Sequence, residues 1–145
     1  FFTVYGAYGR PDMFIFNYLN FLFNKKKFDL FNSGNNLRDY THIDDVVKII
    51  DRLIIKKIQN NFDIFNICSG KPIDINKLSL FISKLIKIEP YLVLKKRNII
   101  EVIKTHGSNK KILKFTNYKI EKNIFQELPK IIDWYKKNKI WKLKN

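Results

Sequence analysis

Short apolar segments of strand character alternate with longer segments of helical periodicity along these 145 residues, and the alternation predicts a mixed α/β fold with more helix than strand. Three observations carry that reading. The opening run Phe1 to Tyr5 is almost continuously apolar, as suits a strand buried on both faces of a parallel sheet. Stretches beginning near Asp44, Asp74 and Lys122 repeat apolar residues at helical spacing. Turn clusters such as Ser69-Gly70-Lys71-Pro72 separate the elements, with no linker, repeat or composition break, so one unit is expected.

Taken in order, the opening strand runs into a Gly-rich turn ending in Arg10-Pro11-Asp12. Met13 to Phe23 is apolar enough for a helix and is closed by Lys25-Lys26-Lys27, where cations suit a helix C-terminus. In FDLFNSGNNLRDYTHI two extended pieces flank the polar segment Asn32 to Asn36, read as a hairpin-like or plain loop connection. The next helix has Asp44 and Asp45 in its first turn and Val46, Ile50, Leu53, Ile54 and Ile58 on its apolar face. FDIFNIC alternates as a strand does. A second amphipathic helix begins near Asp74 or Asn76 with Leu78, Phe81, Leu85 and Ile86 inward, and YLVLK after Pro90 is strand-like. A short helix around Lys110 to Phe115 precedes a longer one from Lys122 to Lys139, with Ile124, Leu128, Ile131, Ile132 and Tyr135 on its apolar face.

Hydrophobic residues make up 46% and aromatics 15%, a globular composition, and no run approaches the ~18 apolar residues of a membrane span. The start has no signal-peptide pattern, and the single Cys68 leaves no intrachain disulfide; a cytoplasmic location and no membrane partner are expected. The net charge of +15 raises nucleic-acid binding. Against it, the cations are overwhelmingly Lys, with Arg only at 10, 38, 52 and 97, which fits a Lys-rich solvated surface better.

His42, His106 and Cys68 are too scattered for a metal site, and no nucleophile elbow occurs. Gly6 and Gly9 form no dinucleotide fingerprint, because no third glycine opens a helix behind them. Two stretches stand out. TVYGAYGRPDM joins a strand exit, a sharp turn and Arg10, and LRDYTHIDD places Arg38 and Tyr40 on one face of an extended segment, where a guanidinium and a phenol can bind phosphate oxygens. Each has a structural alternative: Arg10 pairing with Asp12, and Arg38 with Asp39 or Asp45.

FFTVYGAYGRPDMF, LRDYTHIDDVV, FNICSG and IDINKL together resemble the carboxyl-terminal half of an extended short-chain dehydrogenase/reductase, most closely the UDP-glucuronate 4-epimerase group of NAD-dependent epimerases/dehydratases. The resemblance covers essentially the whole chain. RDYTHIDD is shared by many nucleotide-sugar enzymes, whereas VYGAYGRPDM points to uronate epimerases. It implies a NAD(P)-binding Rossmann-like fold of which residues 1–145 supply the last sheet strand or strands and the small mixed α/β substrate-binding domain. The Gly-rich NAD site and the catalytic Tyr-x-x-x-Lys pair would lie in an absent amino-terminal half, so no catalytic or cofactor-binding residue is expected here. Tyr91/Lys95 and Tyr135/Lys139 share that spacing but are read as chance matches.

By the same resemblance, Thr3 and Arg10 match residues that hold the uronate carboxylate. Arg38 and Tyr40 match diphosphate contacts, and Asp29, Leu30 and Phe31 match the strand covering the uracil. Toward the carboxyl end the family carries Arg or Gln followed by Pro-Gly-Asp, where this chain has KKRNIIEV; Arg97 and Glu101 stand in its place for ribose or diphosphate. The implied partners are UDP-glucuronate or UDP-galacturonate and the absent half, with a homodimer as one assembly of the complete enzyme. The rival readings are a split or decayed remnant that binds a UDP-sugar without catalysis, and a basic nucleic-acid-binding domain.

Overall fold

In chain order the elements are β1 (Thr3–Tyr5), α1 (Phe14–Phe23), β2 (Phe28–Phe31), β3 (Leu37–His42), α2 (Ile43–Ile55), β4 (Pro72–Asp74), α3 (Ile75–Ile86), β5 (Leu92–Lys95), α4 (Lys110–Thr116) and α5 (Ile124–Lys137), with single 3-10 turns at Asn32–Gly34 and Ile140–Lys142. The computed structural model describes residues 1–57, 62–97 and 99–142. β1 lies parallel to β3, with Thr3 opposite Tyr40, and β3 pairs antiparallel with β4, giving the strand order β1-β3-β4. β2 pairs with β5 in a separate parallel ribbon.

The helices begin where side chains take up the free N–H groups of the first turn. His42 caps α2 by accepting from the Asp44 N–H at 3.1 Å, Asp74 caps α3 by accepting from Lys77 at 2.9 Å, and Asn123 caps α5 by accepting from Phe125 at 2.9 Å. The main core packs α1, α3 and α5 together through Tyr18, Leu19, Leu78, Ile82, Leu128 and Tyr135. Inside it the Tyr18 hydroxyl meets Ser83 Oγ at 2.7 Å, so a buried phenol keeps a hydrogen-bond partner. A second cluster joins Val46 and Ile49 of α2 to Ile67, Ile112 and Tyr118. The predicted apolar face of α5 is buried throughout.

The structure corrects several expectations. FDIFNIC forms no regular strand: the Phe2 N–H, just before β1, donates to the Ile67 carbonyl at 3.2 Å, and a strand needs a continued ladder. The pieces flanking Asn32 to Asn36 are not a hairpin, since β2 pairs with β5 while β3 pairs with β1 and β4. On α2, Ile49 takes the fully buried position and Ile54 is exposed, because the stripe continues from Val46 by three residues rather than four; Ile58 lies outside the described residues. Leu85 of α3 sits at the surface while Ile82 fills the core. The lysine run does close α1 as expected, the Lys25 and Lys26 N–H groups donating to the Leu22 and Phe21 carbonyls at 3.1 and 2.9 Å.

Candidate functional site

A cleft of about 550 Å³ opens between the start of β1, α1, β2, β3 and the segment around Glu101. Thr3, Asp29, Leu30, Phe31, Arg38, Tyr40 and Glu101 all line it, so seven of the nine residues singled out from sequence converge although they span positions 3 to 101. The register explains part of this: Thr3 stands opposite Tyr40 on adjacent parallel strands. Two-residue alternation puts Arg38 on the same face of β3 as Tyr40. In β2, Phe28 and Leu30 point to the core while Asp29 and Phe31 face outward. Phe31 is half-exposed at the end of the strand, an aromatic surface available to a flat ligand.

Arg38 is held in place before any ligand arrives. Its Nη1 donates to the Leu37 and Ile103 carbonyls at 3.0 and 3.3 Å, and its Nη2 lies 3.8 Å from the Glu101 carboxylate. It pairs with neither Asp39 nor Asp45, the partners its structural alternative named. The segment bearing Glu101 is tied to β3, with the Leu37 N–H donating to the Ile103 carbonyl at 2.8 Å and Thr105 returning a bond to the Leu37 carbonyl at 3.0 Å. Tyr40 is buried edge-on to Tyr5, and burial pushes its phenol up, so it keeps its proton and stays a donor.

The two remaining residues lie apart. Arg10 is exposed and bonded to Asp12, with Nε donating at 3.0 Å, so its structural alternative is the arrangement seen; Asp12 lines the cleft, while Arg10 borders a small cavity shared with Thr3 and Tyr40. Arg97 is exposed and does not line the cleft. Other lining residues were not singled out from sequence, among them the polar Asn17, Lys27 and Asn36. Asn36 was taken as loop and Lys27 as a helix-end cation, while Asn17 lay unremarked within the helix read over Met13 to Phe23. Only Asn36 carried a signal, as the last residue of a polar loop directly before the LRDY strand.

The acids of RDYTHIDD serve the framework. The fully buried Asp39 carboxylate accepts from the Ser69 N–H and hydroxyl and from the Gly70 and Gly107 N–H groups, joining two loops to β3. Asp45 accepts from the Tyr118 hydroxyl at 2.7 Å and from the Glu121 and Lys122 N–H groups at 3.1 Å. Tyr91/Lys95 lies at a strand, and Tyr135 is buried in the core with its phenol pushed up to about 12 by desolvation. A further pair of that spacing, Tyr118 and Lys122, which the sequence reading did not weigh, is engaged with Asp45 and with Asp44 and Glu127.

Residues 1–68 match the family model described as the NAD dependent epimerase/dehydratase family. An uncharacterized protein of Methanocaldococcus jannaschii is 37% identical across 99% of this chain and 44% of its own length. Over its first 68 residues the chain is similar to the NAD dependent epimerase/dehydratase family. The UDP-glucuronate 4-epimerase of Thermodesulfobacterium geofontis is 31% identical over 95% of this chain and 42% of its own length. The UDP-glucuronic acid 4-epimerase of Bacillus cereus, solved with UDP-glucuronic acid and NAD, superposes with a TM-score of 0.86 at 23% identity, covering 94% of this chain and 44% of that one. The chain thus spans about half the length of the relatives it matches, and the shared fold is that of the extended short-chain dehydrogenases/reductases.

The family likeness raises the question of where NAD would sit, and the Gly-rich turn after β1 does not fit it. A Cβ at Gly6 would meet Ile43 Cγ2 at 2.5 Å, and one at Gly9 would meet the Phe16 ring at 2.6 Å. These glycines admit the chain's own side chains, whereas a dinucleotide turn leaves its backbone open to pyrophosphate.

Proposed function

We propose that this chain forms the nucleotide-sugar-binding portion of a UDP-glucuronate 4-epimerase-like protein. The observation that supports it is the gathering along one cleft of Thr3, Phe31, Arg38, Tyr40 and Glu101, which the sequence resemblance had matched to substrate contacts. Phe31 covers the uracil while β2 backbone groups bond its edge, and Arg38 with the neutral Tyr40 takes diphosphate oxygens. Glu101 lies toward the ribose end. Arg97, exposed and away from the cleft, is given no contact in this reading.

Thr3 and Arg10 serve the sugar. Oxidation at C4 turns a glucuronate into a β-keto acid prone to losing carbon dioxide, and a hydroxyl with a guanidinium that fixes its carboxylate protects it while C4 is positioned. Arg10 is pre-oriented by Asp12 in an exposed ion pair, which water screens and a second carboxylate readily displaces. The hydride chemistry, and the Tyr and Lys that move the proton, belong to the part of a relative-length protein that carries NAD.

Titration calorimetry with UDP, UDP-glucuronate and UDP-glucose tests the reading. Binding of UDP that persists as salt rises, with UDP-glucuronate tighter than UDP-glucose, supports it. No UDP binding, or binding that collapses with salt as a phosphate-backbone contact does, sinks it.

A further inference from the structure

We infer that Asn36 is a positioning residue that aims the Glu101 carboxylate at a vicinal diol, so that the cleft selects a ribonucleoside diphosphate over its 2′-deoxy counterpart; this rests on the nucleotide-sugar reading above. Asn36 is only 5% exposed, yet it lines the cleft, and its side chain sits in the middle of a directed hydrogen-bond chain. Asn32 Nδ2 donates to Asn36 Oδ1 at 3.1 Å, and Asn36 Nδ2 donates to Glu101 Oε2 at 3.3 Å. The polarity has one solution. A carboxylate only accepts, so the Asn36 amide group must face Glu101 and its carbonyl must face Asn32. The backbone carbonyl of Asn36 is held as well, accepting from the Ile75 N–H at the start of α3 at 2.9 Å.

Glu101 therefore has Asn36 on one oxygen and Arg38 Nη2 at 3.8 Å from the other. Of the roughly four acceptor directions of a carboxylate, those turned away from these donors remain for a ligand. Two hydroxyls on adjacent carbons fill such a bidentate acceptor, and the carboxylate disfavours bare phosphate at that spot by charge. Along a nucleoside diphosphate with its base at Phe31 and its phosphates at Arg38, the group between them is the ribose. A hexose also offers vicinal hydroxyls, so the test separates the two sources.

The experiment measures Kd for UDP, 2′-deoxy-UDP and UDP-glucuronate with the unsubstituted chain, Asn36→Leu and Glu101→Gln. The expected result is a preference of about tenfold for UDP over 2′-deoxy-UDP, the scale of one hydrogen bond to a charged group. In both variants that preference collapses toward unity, through weaker UDP binding and little change for 2′-deoxy-UDP. A structural role for Asn36 weakens both nucleotides alike and overturns the inference. So does a preference that survives in Glu101→Gln, which keeps the side-chain shape and stands on the surface segment should Asn36→Leu fail to fold. Loss confined to UDP-glucuronate, with UDP and 2′-deoxy-UDP equal throughout, assigns the diol to the hexose and overturns the ribose selection. If the unsubstituted chain binds neither nucleotide, the nucleotide-sugar reading itself fails; if it binds both equally, only the ribose selection does.

Discussion

The carboxylate of Asp39 receives both the backbone N–H and the hydroxyl of Ser69, at 2.9 and 2.6 Å, across thirty positions of sequence. With Gly70 and Gly107 also donating, this one side chain ties two loops that follow β3 in the chain back onto that strand. Replacing it by Ala leaves those buried donors unmatched, so Asp39→Ala is expected to cost about 3–5 kcal/mol, enough to unfold a marginal domain. Urea unfolding followed by circular dichroism measures it. A loss below about 1 kcal/mol contradicts the clamp.

Tyr118→Phe removes the hydroxyl that donates to buried Asp45 and nothing else of the ring's packing in the α2–α4 cluster. A hydrogen bond to a charged acceptor is worth about 1.5–3 kcal/mol, and that loss is expected in the same unfolding assay with the slope unchanged. Asp45 keeps its bonds from the Glu121 and Lys122 N–H groups, so Asp45→Ala should cost more than Tyr118→Phe.

Glu127 supplies an acid-sensitive contribution. Desolvation raises its pKa, but hydrogen bonds from Lys130 and Lys122, at 3.0 and 3.4 Å, outweigh it and hold the carboxylate below its ordinary 4.5. The unfolded chain therefore takes up this proton first. The stabilisation is complete above 4.5 and is lost as pH falls through the lower folded value. Unfolding measured near neutrality and at about pH 3 should show a smaller difference for Glu127→Gln than for the unsubstituted chain.

Arg10 and Phe31 divide the proposed ligand between them. Arg10→Ala is expected to leave UDP affinity unchanged and to weaken UDP-glucuronate about ten- to hundredfold, as a lost charge-assisted bond does. Equal losses for UDP-glucuronate and UDP-glucose would remove the carboxylate role. Phe31→Ala should weaken all three ligands alike, by about tenfold, since base stacking on an aromatic ring contributes about 1–3 kcal/mol. Both side chains are solvent-facing, so neither variant should lower the unfolding midpoint appreciably.

The helices were legible in sequence because their information is local. The capping Asp74 and the α5 stripe from Ile124 to Tyr135 can be read within a few residues of themselves, and the structure keeps both. Strand type was legible for Leu92–Lys95 but strand partnership was not, since pairing is a relation between distant segments. FDIFNIC shows the same limit, because alternation marks a chain able to be a strand and only a partner's ladder makes it one.

The candidate site divides along the same line. Sequence alone determined the residue types and, through family resemblance, named nine residues of which seven line the cleft, because a motif keeps its spacing whether or not the fold is known. Tertiary structure decided what each one touches. It turned Asp39 into a loop clamp and left Arg10 on Asp12, and it moved Arg97 off the cleft and brought in Asn36 through Glu101, sixty-five positions away. The physical reason is that a hydrogen bond depends on distances of about 3 Å, and a chain reveals those only after long-range packing has chosen which loops meet.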